Sequence, residues 1–131
     1  MNITEETQTE IWIVTNEPLS LKVSETDLFV DIGAERFITA SKGTERIAVE
    51  VKSFIKLSPV QDLKEAVGQF VIYEDALRLS VANADRVLYL AVRDETYTDV
   101  FGDNLGKMLL TNKRVRLLVF NAAREVITEW I

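Results

Sequence analysis

"RIAVEVKSF", residues 46–54, is the stretch on which the reading of this chain turns. Strand side chains change face at every residue, so Ile47, Val49 and Val51 fall on one face and Ala48, Glu50 and Lys52 on the other. An acid and a lysine two residues apart on an otherwise apolar strand project into the same space. Just upstream, "KGTE" (42–45) has the composition of a hairpin turn, which makes "RFITAS" (36–41) the strand that pairs with it. "TEIWIVT" (9–15), "LSLKVS" (19–24) and "DLFVDIG" (27–33) mix β-branched and aromatic residues and are predicted to be extended.

Downstream the period changes. Ser58 can cap a helix with Pro59 at its first position, and Leu63, Ala66, Val67, Phe70, Tyr73 and Leu77 recur at helical spacing, predicting a helix over 59–80. "RVLYLAV" (86–92) is apolar on both faces, as expected of a central strand covered on both sides. A second helix is predicted over 95–112, weakened by Gly102 and Gly106, and the stretch 115–131 reads as two strands around a connection at 121–124. Strands, hairpin, helix, central strand, helix and strand pair together describe an α/β sandwich on a mixed sheet.

Composition narrows the chemistry. At 131 residues and 47% hydrophobic content, with no linker, repeat or low-complexity segment, the chain is expected to form one domain over 1–131. It has no cysteine and no histidine, which removes disulfides, thiol nucleophiles, the commonest zinc ligands and any Ser-His triad. The acidic start "MNITEETQTE" is unlike a signal peptide, and no apolar run approaches the roughly 20 residues of a membrane span, so a soluble cytoplasmic protein with no membrane partner is expected. A net charge of −6, from 15 basic and 21 acidic residues, argues against tight nonspecific binding to nucleic acid through bulk charge.

What remains is carboxylate, lysine and a recruited ion. The preceding strand delivers Asp31 near Glu50, so Asp31, Glu50 and the Val51 carbonyl could hold one magnesium ion, with Lys52 positioning or deprotonating the attacking water at a phosphodiester. Gln69 and Tyr73 lie four apart on the predicted helix, share a face, and could support the water or the phosphate. A charged pair on a strand face is equally the ordinary form of a solvated salt bridge. With 21 acids and seven lysines, roughly one acid-x-lysine triplet is expected by chance, and Asp62-Leu63-Lys64 is a second example. The two differ in context, since residues i and i+2 share a face on a strand and diverge on a helix. Trp12, Phe120 and Trp130 read as core or sheet-edge aromatics, and Lys113, Arg114 and Arg116 as a soluble strand start that could touch a phosphate.

The blocks 21–54 ("LKVSETDLFVDIGAERFITASKGTERIAVEVKSF"), "AVGQFVIYEDAL" (66–77), "ADRVLYLAV" (84–92) and "EVITEWI" (125–131), in this order and spacing, resemble the XisH family of fdxN-element excision controlling factors of cyanobacteria. The resemblance implies a restriction endonuclease-like fold of the PD-(D/E)XK superfamily, a three-layer sandwich with a central mixed sheet flanked by helices. It assigns the motif aspartate to Asp31, the motif acid and lysine to Glu50 and Lys52, and the helix glutamine to Gln69. It further implies a role in programmed DNA excision during heterocyst differentiation, alongside a site-specific recombinase and a small companion protein, XisI. Magnesium or manganese is the implied cofactor and DNA the implied substrate.

Two departures from the family pattern bear on the site. Relatives begin with a longer amphipathic helix before the block matching "WIVTNEP" (12–18), whereas eleven residues precede Trp12 here, so the first helix is expected to be shortened. Glu5, Glu6 and Glu10 are the candidates for the extra acidic ligand that this helix often supplies. Relatives also carry His-Asp before the proline, where this chain has Asn16-Glu17. Three functions stay open: a metal-dependent DNA endonuclease, a catalytically inert accessory that controls a recombinase through protein contacts, and the nuclease half of a toxin–antitoxin-like pair. A homodimer through an edge strand of the C-terminal pair is a further expectation.

Overall fold

The computed structural model describes residues 13–16, 21–22, 29–30, 37–54 and 58–131, with side chains described from residue 39 onward. Three short strands come first: β1 (Ile13–Asn16), β2 (Leu21–Lys22) and β3 (Phe29–Val30). β4 (Phe37–Lys42) and β5 (Glu45–Val51) form the expected antiparallel hairpin, with Lys42 opposite Glu45 and Phe37 opposite Glu50. Gly43 turns it at φ 60°, a left-handed backbone that favours glycine. The chain then enters α1 (Pro59–Leu79), returns as β6 (Val87–Arg93), passes through α2 (Asp94–Asp99) and α3 (Asn104–Thr111), and ends in β7 (Leu117–Asn121) and β8 (Val126–Trp130).

β1, β4, β5, β6, β7 and β8 lie in that order in one six-stranded sheet, and β2 and β3 pair separately. β5–β6 and β6–β7 are parallel and the outer pairs antiparallel, so the sheet is mixed and the fold α/β. Parallel neighbours need a crossover, and α1 supplies the first while α2 and α3 together supply the second. α1 begins where Ser58 Oγ accepts the Gln61 amide at 3.2 Å, with Pro59 in the first turn, where its missing N–H costs nothing.

Each sheet face carries its own core. On the helical side Ala48, Leu88, Leu90 and Val92 meet Leu63, Ala66, Phe70 and Leu77 of α1 and Val100 and Phe101 of the second crossover. On the other side Ala40, Ile47, Val49, Ala91, Leu118 and Phe120 cluster with the partly buried Tyr89, Ile127 and Trp130, and no residue of a described helix joins them. The described residues therefore supply a sheet and one helical layer. Trp130 sits on the edge strand β8, edge-on to Tyr89 at 4.9 Å, and Phe120 is core. Packing against Trp130 and its neighbours buries the Tyr89 phenol, and this desolvation raises its pKa above the usual value.

The single helix expected over 95–112 is two helices. A Cβ on Gly102 would lie 2.1 Å from the Thr98 carbonyl oxygen, and one on Gly106 would lie 2.5 Å from both Phe101 Cα and the Val100 carbonyl oxygen. The backbone folds back on itself at these glycines, and α3 packs tightly against the turn that follows α2. A buried arginine fixes the opposite end of the sheet. Arg86 Nη1 donates to the carbonyls of Ala40 at 3.3 Å and Ile47 at 3.1 Å, while Nε donates to Asn83 Oδ1 at 2.7 Å. Burial works against its charge, and the pKa is lowered accordingly.

Candidate functional site

The alternation of β5 turns Ala48, Glu50 and Lys52 toward α1, the face that carries the larger core. In the backbone register Glu50 lies opposite Leu90 of β6 and opposite Phe37 of β4. Glu50 is only 1% exposed and Lys52 8%. A solvated surface salt bridge is therefore not what this pair is. The Lys52 amide continues the ladder one step past β5 by donating to the Ala91 carbonyl at 3.1 Å, which holds the residue in extended backbone with its side chain on the Glu50 face.

α1 completes the group. Lys52 Nζ donates to Gln69 Oε1 at 3.2 Å, a contact between residues 17 apart in sequence. Strand β5 thus contributes an acid and an amine, and helix α1 contributes an amide that fixes the amine. The three stand at the carboxyl end of a parallel strand, the end of an open α/β sheet where ligands usually bind. Tyr73, one turn beyond Gln69, is buried in the helical core, and Val51 ends β5 packed toward the opposite cluster. Asp31, Glu5, Glu6 and Glu10 lie outside the described residues, as do Trp12 and Glu17; Asn16 ends β1. Among the described residues no three acids gather as a metal cage. The described donor set is one buried carboxylate beside a lysine and an amide, and a divalent ion there needs further oxygen ligands from outside it.

A second polar cluster stands at the same end of the neighbouring strands. Asn121 Nδ2 donates to Asp94 Oδ2 at 2.8 Å, and Asp94 Oδ1 accepts the Glu95 amide at 2.9 Å. The bond from Asn121 holds the Asp94 carboxyl below the usual carboxylate range. This pair ties the end of β6 to the end of β7.

The same succession of blocks extends across nearly the whole sequence. A family model described as XisH protein matches residues 2–128. The chain belongs to the XisH family. A crystal structure of an XisH family protein from Nostoc punctiforme superposes with a TM-score of 0.79 at 36% identity, covering 92% of this chain and 88% of that one. A crystal structure of an fdxN element excision controlling factor protein from Anabaena variabilis gives 0.78 at 37% identity, covering 92% and 87%. No match was found among curated proteins.

One buried acid on α1 escaped the sequence reading. Asp62, set aside as half of a helical acid-x-lysine triplet, is 2% exposed in the first turn of α1. It precedes Gln69 by seven residues, two helical turns, and so lies on the same flank of the helix. That spacing was visible, but nothing in the sequence singled out this acid among 21 as buried. Lys113, Arg114 and Arg116 are exposed, and Arg116 Nη1 pairs with Glu74 Oε2 at 2.8 Å, which makes the cluster a solvated strand start.

Proposed function

We propose that this chain is a DNA-element excision controlling factor with a nuclease-like site at the carboxyl end of β5, working as a magnesium- or manganese-dependent endonuclease. The observation that carries the reading is the burial of Glu50 and Lys52 on one strand face with the Lys52 ammonium held by Gln69. Burying an acid and an amine is costly even when they are paired, and strongly perturbed ionisable groups are enriched at functional sites. We further propose that the sheet and its helical layer belong to a restriction endonuclease-like three-layer sandwich; the hairpin with the acid-x-lysine on its second strand, followed by a helical crossover, supports this.

Glu50, Asp31 and the Val51 carbonyl would hold the ion. A divalent ion bound there supplies a Lewis acid for the scissile phosphate and lowers the pKa of a coordinated water. As the ammonium that donates to Gln69, Lys52 brings a positive charge to the developing negative charge on the phosphate and can position the attacking water by donating to it. Gln69 is a positioning residue, because its oxygen keeps Nζ at the strand end. The programme this serves is excision of a DNA element in a differentiating cell, with an XisI-like companion and a recombinase as partners.

The test is calorimetric titration of magnesium and manganese into wild type and into folded Asp31→Ala and Glu50→Ala variants, followed by cleavage assays on linear, branched and mismatched DNA. Binding lost in both variants, with cleavage lost in Glu50→Ala and Lys52→Ala, is the expected result. No binding at millimolar metal, with or without DNA, would leave an inert accessory that acts through protein contacts, a reading that the net charge of −6 favours.

A further inference from the structure

The outer face of α1 is apolar where a solvated helix would be polar. Val60 is 50% exposed, Val71 49%, Ile72 57% and Leu79 64%. Gly68 sits on the same exposed face in mid-helix, and a Cβ there would meet nothing within 4 Å. Glycine inside a helix costs roughly 0.5–1 kcal/mol relative to alanine, and among the described residues no neighbour requires it. Successive positions at 100° place Val60, Lys64, Gly68, Val71, Ile72, Asp75 and Leu79 on one side of the helix, turned away from the flank that carries Gln69.

These residues are arranged palindromically. About a point midway between Gln69 and Phe70, Val60 mirrors Leu79, Lys64 mirrors Asp75 and Gly68 mirrors Val71, while the mirror position of Ile72 is Val67, which packs against the chain's own core. A two-fold axis through that point would bring each residue of one antiparallel helix against its mirror position on the other. Apolar then meets apolar at both ends, a cation meets an anion twice, and each valine at the centre lies over a glycine that offers no side chain.

We propose that two copies of this chain pair through the outer faces of α1, antiparallel about this two-fold axis, with Val71 seated over the partner's Gly68 and Lys64 facing the partner's Asp75. The shallow crossing of about 20° that lets helices stay in register over several turns suits a contact running from Val60 to Leu79. The contact is a helix face, distinct from the sheet-edge pairing expected from the sequence, and it does not depend on the reading of the β5 site.

Sedimentation equilibrium on the full chain, from a few micromolar to a few hundred micromolar, tests it. Wild type is expected to dimerise with a Kd on the order of micromolar, as suits an interface at the small end of specific association. Gly68→Glu, which the open space around Gly68 allows the monomer to accept, should raise Kd at least about tenfold with the helix content unchanged. Because each charge pair occurs twice, Lys64→Asp alone and Asp75→Lys alone should each weaken the dimer about tenfold, and the double reversal should restore it. A wild-type monomer throughout that range overturns the proposal, as does a dimer indifferent to Gly68→Glu or a double reversal no tighter than either single one.

Discussion

Replacing Glu50 by glutamine keeps the shape of the side chain and removes its charge, and the consequences follow from where that charge sits. The carboxylate is 1% exposed, with Leu90 beside it in the parallel register and Lys52 two residues along the same face. Replacing a whole buried pair by apolar groups is often neutral or stabilising, but removing one partner leaves the other charge buried and uncompensated, at a cost of about 3–5 kcal/mol. For Glu50→Gln, which strands the Lys52 ammonium, we expect a loss of about 3 kcal/mol in EDTA. The unfolding entropy of a chain of this length is about 0.28 kcal/mol/K, so the loss corresponds to a Tm fall of about 11 °C. Magnesium should widen the difference. At 10 mM and a millimolar Kd the ion adds about 1.4 kcal/mol to wild type and nothing to the variant, taking the gap to about 4.4 kcal/mol. Calorimetric melts of both proteins in EDTA and in 10 mM magnesium check this. A variant as stable as wild type in EDTA, or a gap that magnesium leaves unchanged, would refute the argument.

Gly106→Ala should lose about 1–3 kcal/mol in urea unfolding despite the helix preference of alanine, because the new Cβ would lie 2.5 Å from backbone atoms of Val100 and Phe101; an unchanged midpoint would contradict the close packing. Ser58→Ala should cost about 1 kcal/mol by removing the acceptor of the Gln61 amide, measured in the same way. Asn121→Ala should raise the Asp94 pKa toward the ordinary carboxylate value, read by carboxyl-carbon NMR. In the native protein the depressed pKa means that the stabilisation is present above the unfolded value and lost as pH falls through the folded one, below about pH 4, and the variant should lack that acid-side loss.

The parts of the fold that could be read in the sequence were those governed by local rules. Ser58-Pro59 announced α1 to within a residue of its end, and the alternation around Glu50 gave the strand face that the structure turns toward the helix. Gly102 and Gly106 were visible as poor helix formers, but their real constraint is a close approach of backbone to backbone that only the folded chain contains, so two helices read as one. Of the candidate site, the convergence of three described residues was legible, while Asp31 lies outside the described residues. Glu50, Lys52 and Gln69 share a place because a strand period and a helix period happen to converge across a crossover, whereas the burial of Asp62 and Arg86 depends on what lies above them and runs against the usual exposure of charged residues.

Arg86 touches the carbonyls of Ala40 and Ile47, which are themselves register partners across the β4–β5 hairpin. Its guanidinium therefore works as an alignment key, satisfied in one setting of the two strands and in no setting shifted by a residue. The same alignment places Phe37 opposite Glu50, three residues further along, about 10 Å away. Substitution at Arg86 would loosen the setting without altering any group of the site, and the loss would deepen with heating as the hairpin samples other alignments. A heat-sensitive form of this protein, intact when cool and misaligned when warm, is thus to be sought at a position outside the proposed site.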